Sequence, residues 1–126
     1  MIHTEGFLKL VNAAKTRIHE VSVEETLHRL SNADAASTVR LIDVREDHEW
    51  QAGHAAQAQH LSKGIIERDI ETQVPDKHTE LILYCGGGYR SALAADALQG
   101  MGYTNVHSLQ GGWTAWQQSG APTEGD

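Results

Sequence analysis

Apolar residues recur along this chain in two ways: at helical spacing, and in short continuous runs. Phe7, Leu10, Val11, Ala14 and Ile18 fall on one helical face, with Thr4 placed to cap the helix. Residues 19–21 form a short run suited to an edge strand. Ser22 and Glu25 then make an S-x-x-E capping box for a helix carrying Val23, Leu27, Leu30 and Ala33 inward. The chain loosens into a loop over 31–37. Residues 39–44 read as a buried strand despite Arg40, and 46–52 as a short helix. A short strand is expected at 58–61, followed by a helix with Ser62 as cap and Ile65, Ile66 and Ile70 inside. Pro75, Asp76 and Lys77 form a turn.

Leu81-Ile82-Leu83-Tyr84 is the clearest strand, β-prone and bounded by polar residues and glycines. A helix follows from Arg90 or Ser91 to Leu98, with Ala94, Ala97, Leu98 and Met101 on one stripe and Gly100 and Gly102 ending it. A last strand is expected at 106–109. Gly111 and Gly112 then lead into a short helix with Trp113 and Trp116, both assigned to packing. From Ser119 the chain is polar and is expected to be a mobile tail. Strands alternate with helices, which predicts an α/β fold: a parallel sheet with helices on both faces. Ligands in such folds bind beyond the C-terminal strand ends, where Cys85 and Asp43 both fall.

The 126 residues suffice for one domain, and 40% hydrophobic with 21% charged residues fits a globular chain. A formal charge of −7 argues against nucleic acid and acidic membranes as partners. An anionic small substrate would need a local positive field in the site. The single cysteine forms no internal disulfide, in keeping with a reducing compartment. The first ten residues lack a basic region followed by an apolar run, and no stretch approaches membrane-spanning length, so a cytoplasmic location is expected.

The densest chemistry lies in Tyr84-Cys85-Gly86-Gly87-Gly88-Tyr89-Arg90-Ser91. A strand ends and a helix begins around one short loop. Consecutive backbone N–H groups there can converge on one point, joined by the unpaired N–H groups of the helix's first turn. Three glycines let the backbone approach a ligand closely. Cys85 at the base of this cradle is expected to have its thiolate favoured, since helix N-termini and cations lower a thiol pKa from ~8.5 to ~3.5–7.5. Such a thiolate can attack the outer sulfur of a donor such as thiosulfate, giving a persulfide held by the same N–H groups. Arg90 can pair with a sulfonate or carboxylate. Ser91 can cap the helix. A merely buried cysteine would need none of this, and three glycines are entropically costly without a return. Tyr89, the one residue with a side chain between Cys85 and Arg90, is expected to shape the mouth and tune donor or acceptor preference.

With these residues the chain resembles the rhodanese homology domain. The resemblance rests on Leu41-Ile-Asp-Val-Arg-Glu-Asp-His-Glu-Trp50 with Gly53-His54, on the loop 85–91, and on Leu109-Gln-Gly-Gly-Trp-Thr-Ala-Trp116. It implies a rhodanese domain over 19–121, an N-terminal helical extension over 1–18 and a flexible tail over 122–126. It also implies a five-stranded, mostly parallel sheet and sulfur transfer through a Cys85 persulfide. Gly86, Gly87, Gly88, Tyr89, Arg90 and Ser91 fall on the family's active loop. Asp43 matches a family aspartate near that loop, and Arg45 a family arginine that is more often structural. The plainer assignment for both is an ion pair holding the strand end, and His54 is expected to help position the loop. The chain departs from the family at Ala55-Ala56-Gln57-Ala58, where Ile-Pro-Gly-Ala is usual.

Four residues separate Cys85 from Arg90, whereas fold-related phosphatases use five. The shorter loop resembles the sulfurtransferase class and makes a phosphatase the weaker assignment. A non-catalytic or sulfur-relay module acting with a protein partner is the other alternative. A thioredoxin-type role would want Cys-x-x-Cys, which is absent. His48, His54 and His60 recur every six residues, which is not a ligand spacing, so no metal and no cofactor are expected. With no second thiol in the chain, an external acceptor is expected to discharge the persulfide: cyanide, a small thiol or a thioredoxin-like protein.

Overall fold

The computed structural model describes residues 2–32 and 38–125. Ala33, expected on the inner face of the second helix, lies outside them, as does most of the expected loop. Helix α1 (Glu5–Lys15) precedes β1 (His19–Val21), α2 (Val23–Ser31), β2 (Val39–Asp43), α3 (Asp47–Gln51), β3 (His54–Ala55) and β4 (Gln59–His60). Then come α4 (Ile66–Gln73), β5 (Glu80–Tyr84), α5 (Arg90–Gly100), β6 (Val106–Leu109), α6 (Gly112–Gln118) and β7 (Thr123–Glu124). Five strands form one parallel sheet in the order β1-β6-β5-β2-β4.

Strand side chains alternate between the two sheet faces. Ile42, Val44, Leu81, Leu83 and Cys85 point to the face covered by α4 and α5. Leu41, Ile82, Tyr84 and Leu109 point to the face that packs Leu27, Leu30 and Trp116 of α2 and α6. Because β5 lies at the centre and is buried on both sides, its sequence is continuously apolar rather than alternating. This alternation aims the Cys85 side chain at the start of α5.

The Ser22–Glu25 capping box forms: each side chain bonds the other residue's backbone N–H, at 3.0 and 3.1 Å. Thr4 occupies the cap of α1 without a side-chain bond. Leu10, expected inward, is 62% exposed, while Val11 and Ala14 are fully buried against α5. The stripe of α1 is thus narrower than its sequence pattern. Ser62 does not cap α4; its carbonyl closes a turn with the Ile65 N–H, and the helix begins at Ile66. Gly100 lies inside α5, and Gly102 ends it. At φ +99°, Gly102 allows N–H groups of Gly102 and Tyr103 to reach back to the carbonyls of Gln99 and Leu98.

The tail, expected to be free, turns back onto the domain. Thr123–Glu124 pairs antiparallel with His54–Ala55, and the Trp116 indole donates to the Pro122 carbonyl at 2.8 Å. A two-strand pairing satisfies backbone groups that polar composition alone would leave to water. No described helix is long and apolar enough to cross a membrane.

Candidate active site

Cys85 ends the central strand and is 1% exposed. Its Sγ receives the backbone N–H groups of Gly88 at 3.2 Å and Ser91 at 3.4 Å. The Ser91 hydroxyl lies 3.5 Å away and bonds the Ser108 hydroxyl on β6 at 2.8 Å. Sulfur is therefore met by main-chain donors from the loop and from the first turn of α5. Donors so placed can hydrogen-bond a sulfur held at the base of the loop.

The glycines have distinct tasks. Gly88 takes φ +96°, which brings its N–H round to the sulfur. Gly112 takes φ +52°, and a Cβ there would sit 2.3 Å from the Cys85 carbonyl oxygen. Its bareness lets α6 dock end-on against the loop. The N–H groups of Trp113 and Thr114 then donate to the carbonyls of Cys85 and Gly86, at 2.7 and 3.1 Å. The orphan donors of one helix so hold the back of the cradle, leaving its N–H groups turned inward. Gly111 and Gly112, read from sequence as leading into a helix and as part of the 109–116 segment of the resemblance, belong to the architecture of the site. Their juxtaposition with Cys85 across 27 residues had no local signal.

Arg90 does not stand free for a substrate anion. Its guanidinium makes a two-point pair with Glu49 of α3, at 2.7 and 3.1 Å. That pairing holds the Glu49 carboxyl down at about 2. It also raises the Arg90 pKa further. Glu49 was visible in sequence only as part of a motif; nothing local singled out its partner.

Asp43 and Arg45 form a buried ion pair, with Nε and Nη2 of Arg45 2.8–3.1 Å from the Asp43 oxygens. Nη2 also donates to the Gly53 carbonyl at 2.7 Å, and the guanidinium lies 4.8 Å from the centre of the Trp113 ring. Burial opposes the Arg45 charge, but Asp43 outweighs it and the pKa is raised. Burial and the nearby Asp43 likewise push the Tyr84 phenol up. Neither Asp43 nor Arg45 lines the cleft over Cys85; they brace the end of β2 and the floor under α6.

His54 does not touch the active loop. Its ring stacks on Trp50 at 3.4 Å, and Trp50 also stacks with His60 at 4.9 Å. The two imidazoles thus clamp the residue after Glu49, steadying α3 from behind. His48 stands apart on α3, and its imidazole with Glu46 and Glu49 places three ligand-type atoms within 4.8 Å. Two of these residues are exposed and Glu49 is engaged by Arg90, so the group reads as surface charge.

The cleft above Cys85 has a volume of about 770 Å³. Gly86, Gly87, Tyr89 and Arg90 form its floor, and Glu46, His48 and Glu49 one side. His3 and Phe7 come to it from the N-terminal segment.

A parallel α/β domain with a cradled cysteine at the end of its central strand is the class that fold and site define. The chain belongs to the rhodanese-like domain family, whose model matches residues 22–119. It is 32% identical over 97 residues to the thiosulfate sulfurtransferase GlpE of Pseudoalteromonas translucida, covering 77% of this chain and 87% of that protein. It is 33% identical over 111 residues to an uncharacterized protein of Synechocystis, covering 88% of this chain. The chain spans 59% of that relative's length. Among solved structures, a Rhodopseudomonas palustris protein of unknown function, described as a possible tyrosine phosphatase, superposes with a TM-score of 0.82. It shares 29% identity, with 98% of each chain covered.

Proposed function

We propose that this protein is a sulfurtransferase that carries sulfane sulfur on Cys85. The family and its sulfurtransferase-named relative support the general class. The observation that carries the reading to a residue is the pair of N–H groups, from Gly88 and Ser91, aimed at the Cys85 sulfur. In the first half-reaction the Cys85 thiolate attacks the terminal sulfur of a donor such as thiosulfate. A new S–S bond forms, the donor's S–S bond breaks, and sulfite leaves with the electron pair. The outer sulfur of the persulfide then lies towards the cleft, with the loop N–H groups stabilising its charge. In the second half-reaction an external thiophile, such as cyanide, a small thiol or a thioredoxin-like protein, takes that sulfur and restores the thiolate.

Four residues between Cys85 and Arg90 favour sulfur over phosphate, because the short loop encloses a tighter ring of donors. The test is intact mass after incubation with thiosulfate or an organic thiosulfonate, for wild type and Cys85→Ser, with and without cyanide. A gain of one sulfur in wild type alone, discharged by cyanide as thiocyanate, is expected. Hydrolysis of an aryl phosphate by wild type, with no sulfur gained from any donor, would turn the reading to a phosphatase.

A further inference from the structure

The family match begins at residue 22, yet the cleft is built partly from residues before it. The His3 ring lies 4.3 Å from Tyr89 and 5.3 Å from Phe7, and Phe7 lies 6.3 Å from Tyr89. These distances make one aromatic cluster, contributed by the N-terminal segment and the active loop. The cluster is held in place. Val11 and Ala14 are fully buried. Beyond the end of α1, Arg17 makes a two-point pair with Asp96 of α5, at 2.9 and 2.8 Å, and its carbonyl accepts from the Gln99 amide.

Charge across the cleft is as telling as shape. Among the described residues lining it, Arg90 is the one guanidinium or ammonium group, and Glu49 neutralises it. Glu46 adds a further carboxylate. A small dianion therefore meets a cradle of N–H groups at the floor and a lining whose one guanidinium is already paired; the Lys15 ammonium lies outside the lining, 5.2 Å from the Tyr89 ring and 3.7 Å from Glu20. The volume, about 770 Å³, also falls among cavities that take organic ligands, ~300–1,000 Å³. A small inorganic anion would leave most of it to water.

We infer that His3 and Phe7, with Tyr89, form a specificity wall that selects sulfur compounds with an apolar or aromatic body over small inorganic anions. The inference rests on the sulfur-carrier reading and names its substrate class. The chemistry is the same as for any thiosulfonate donor, R–SO₂–S⁻. The Cys85 thiolate attacks the terminal sulfur, one S–S bond forms as another breaks, and the sulfinate R–SO₂⁻ leaves with the electron pair. No outside oxidant or reductant is needed.

The test compares kcat/KM for benzenethiosulfonate and methanethiosulfonate, two donors of equal charge, with cyanide as common acceptor. Wild type should favour the aromatic donor by about tenfold, the scale of a ring contact with its burial. Phe7→Ala and His3→Ala should each lower that ratio, and the double variant should lower it furthest, leaving only the part owed to Tyr89. His3 precedes α1, so its removal leaves the helix intact; Phe7→Leu keeps apolar bulk and should lose the part owed to the ring. A wild-type ratio near one, or a ratio kept by the double variant, overturns the inference. Sulfur gain by mass is scored separately: a wild type that gains sulfur but shows no preference loses only this inference. One that gains none from thiosulfate or either thiosulfonate loses the sulfur-carrier reading as well.

Discussion

Glu49 and Arg90 show how one contact sets the character of a site. The guanidinium that could have met a substrate anion is instead held by a carboxylate on a neighbouring helix. The pairing also makes stability depend on pH. Glu49 binds its proton less readily in the fold, at about 2 against an ordinary 4.5. Its stabilisation is therefore present above pH 4.5 and lost as pH falls from 4.5 towards 2. Glu49→Gln should cost about 1–2 kcal/mol at pH 7, the range of a partly exposed charged hydrogen bond. Thermal melts of the two proteins should converge as the pH is lowered through that window. A second residue-scale case is Gln57, the described non-glycine with positive φ, at +70°. It holds the turn after β3 in the left-handed region, where a side chain carries strain. Gln57→Gly should stabilise by about 0.5–1 kcal/mol, the left-handed penalty less the added freedom of the unfolded chain. A raised denaturant midpoint at unchanged slope is the expected reading.

At the scale of elements, the site is a junction of β5, α5 and α6. The start of α5 supplies an N–H to the sulfur, and the start of α6 holds the loop by its carbonyls. Both depend on close approach of backbones. Gly112→Ala would put a methyl group 2.3 Å from the Cys85 carbonyl oxygen, and helix and loop would have to separate. Sulfur-transfer kcat/KM should fall at least about tenfold, since displaced N–H donors cost about that much or more. Far-ultraviolet circular dichroism should show the helices retained. Element prediction from sequence succeeded where the signal was local. The capping box at Ser22 and the apolar run of β5 need no distant partner to be read. It missed where the partner was remote. Leu10 fits a helical stripe but finds no surface to cover, and the 123–124 strand exists only because β3 offers an edge.

At the scale of the whole molecule, a chain of formal charge −7 would meet anionic donors of the proposed kind against its own net field. Main-chain dipoles at the cradle act over a few ångströms, whereas the net charge acts over a Debye length. The kcat/KM for thiosulfate should therefore rise with ionic strength, by roughly two- to fivefold between 10 mM and 0.5 M salt. Steady-state rates in an inert salt series would check this, and a fall would mean that a free cation steers the donor in.

Much of this protein was legible in the chain itself. The alternation of helical stripes with apolar runs specifies a parallel α/β sheet, because strands buried on both faces must be apolar throughout. The cradle was legible because all its parts, from Cys85 to Ser91, are neighbours in sequence, and the backbone geometry of a short glycine loop is a local property. The Asp43–Arg45 ion pair was legible too, because its partners stand two residues apart at one strand end. What the tertiary structure alone decided were the pairings across distance: Glu49 with Arg90, Gly112 against Cys85, and His3 and Phe7 over Tyr89. The physical reason is common to all three. Which charges neutralise one another, and which rings share a wall, depends on the packing of elements far apart in the chain, and residue spacing carries no record of it.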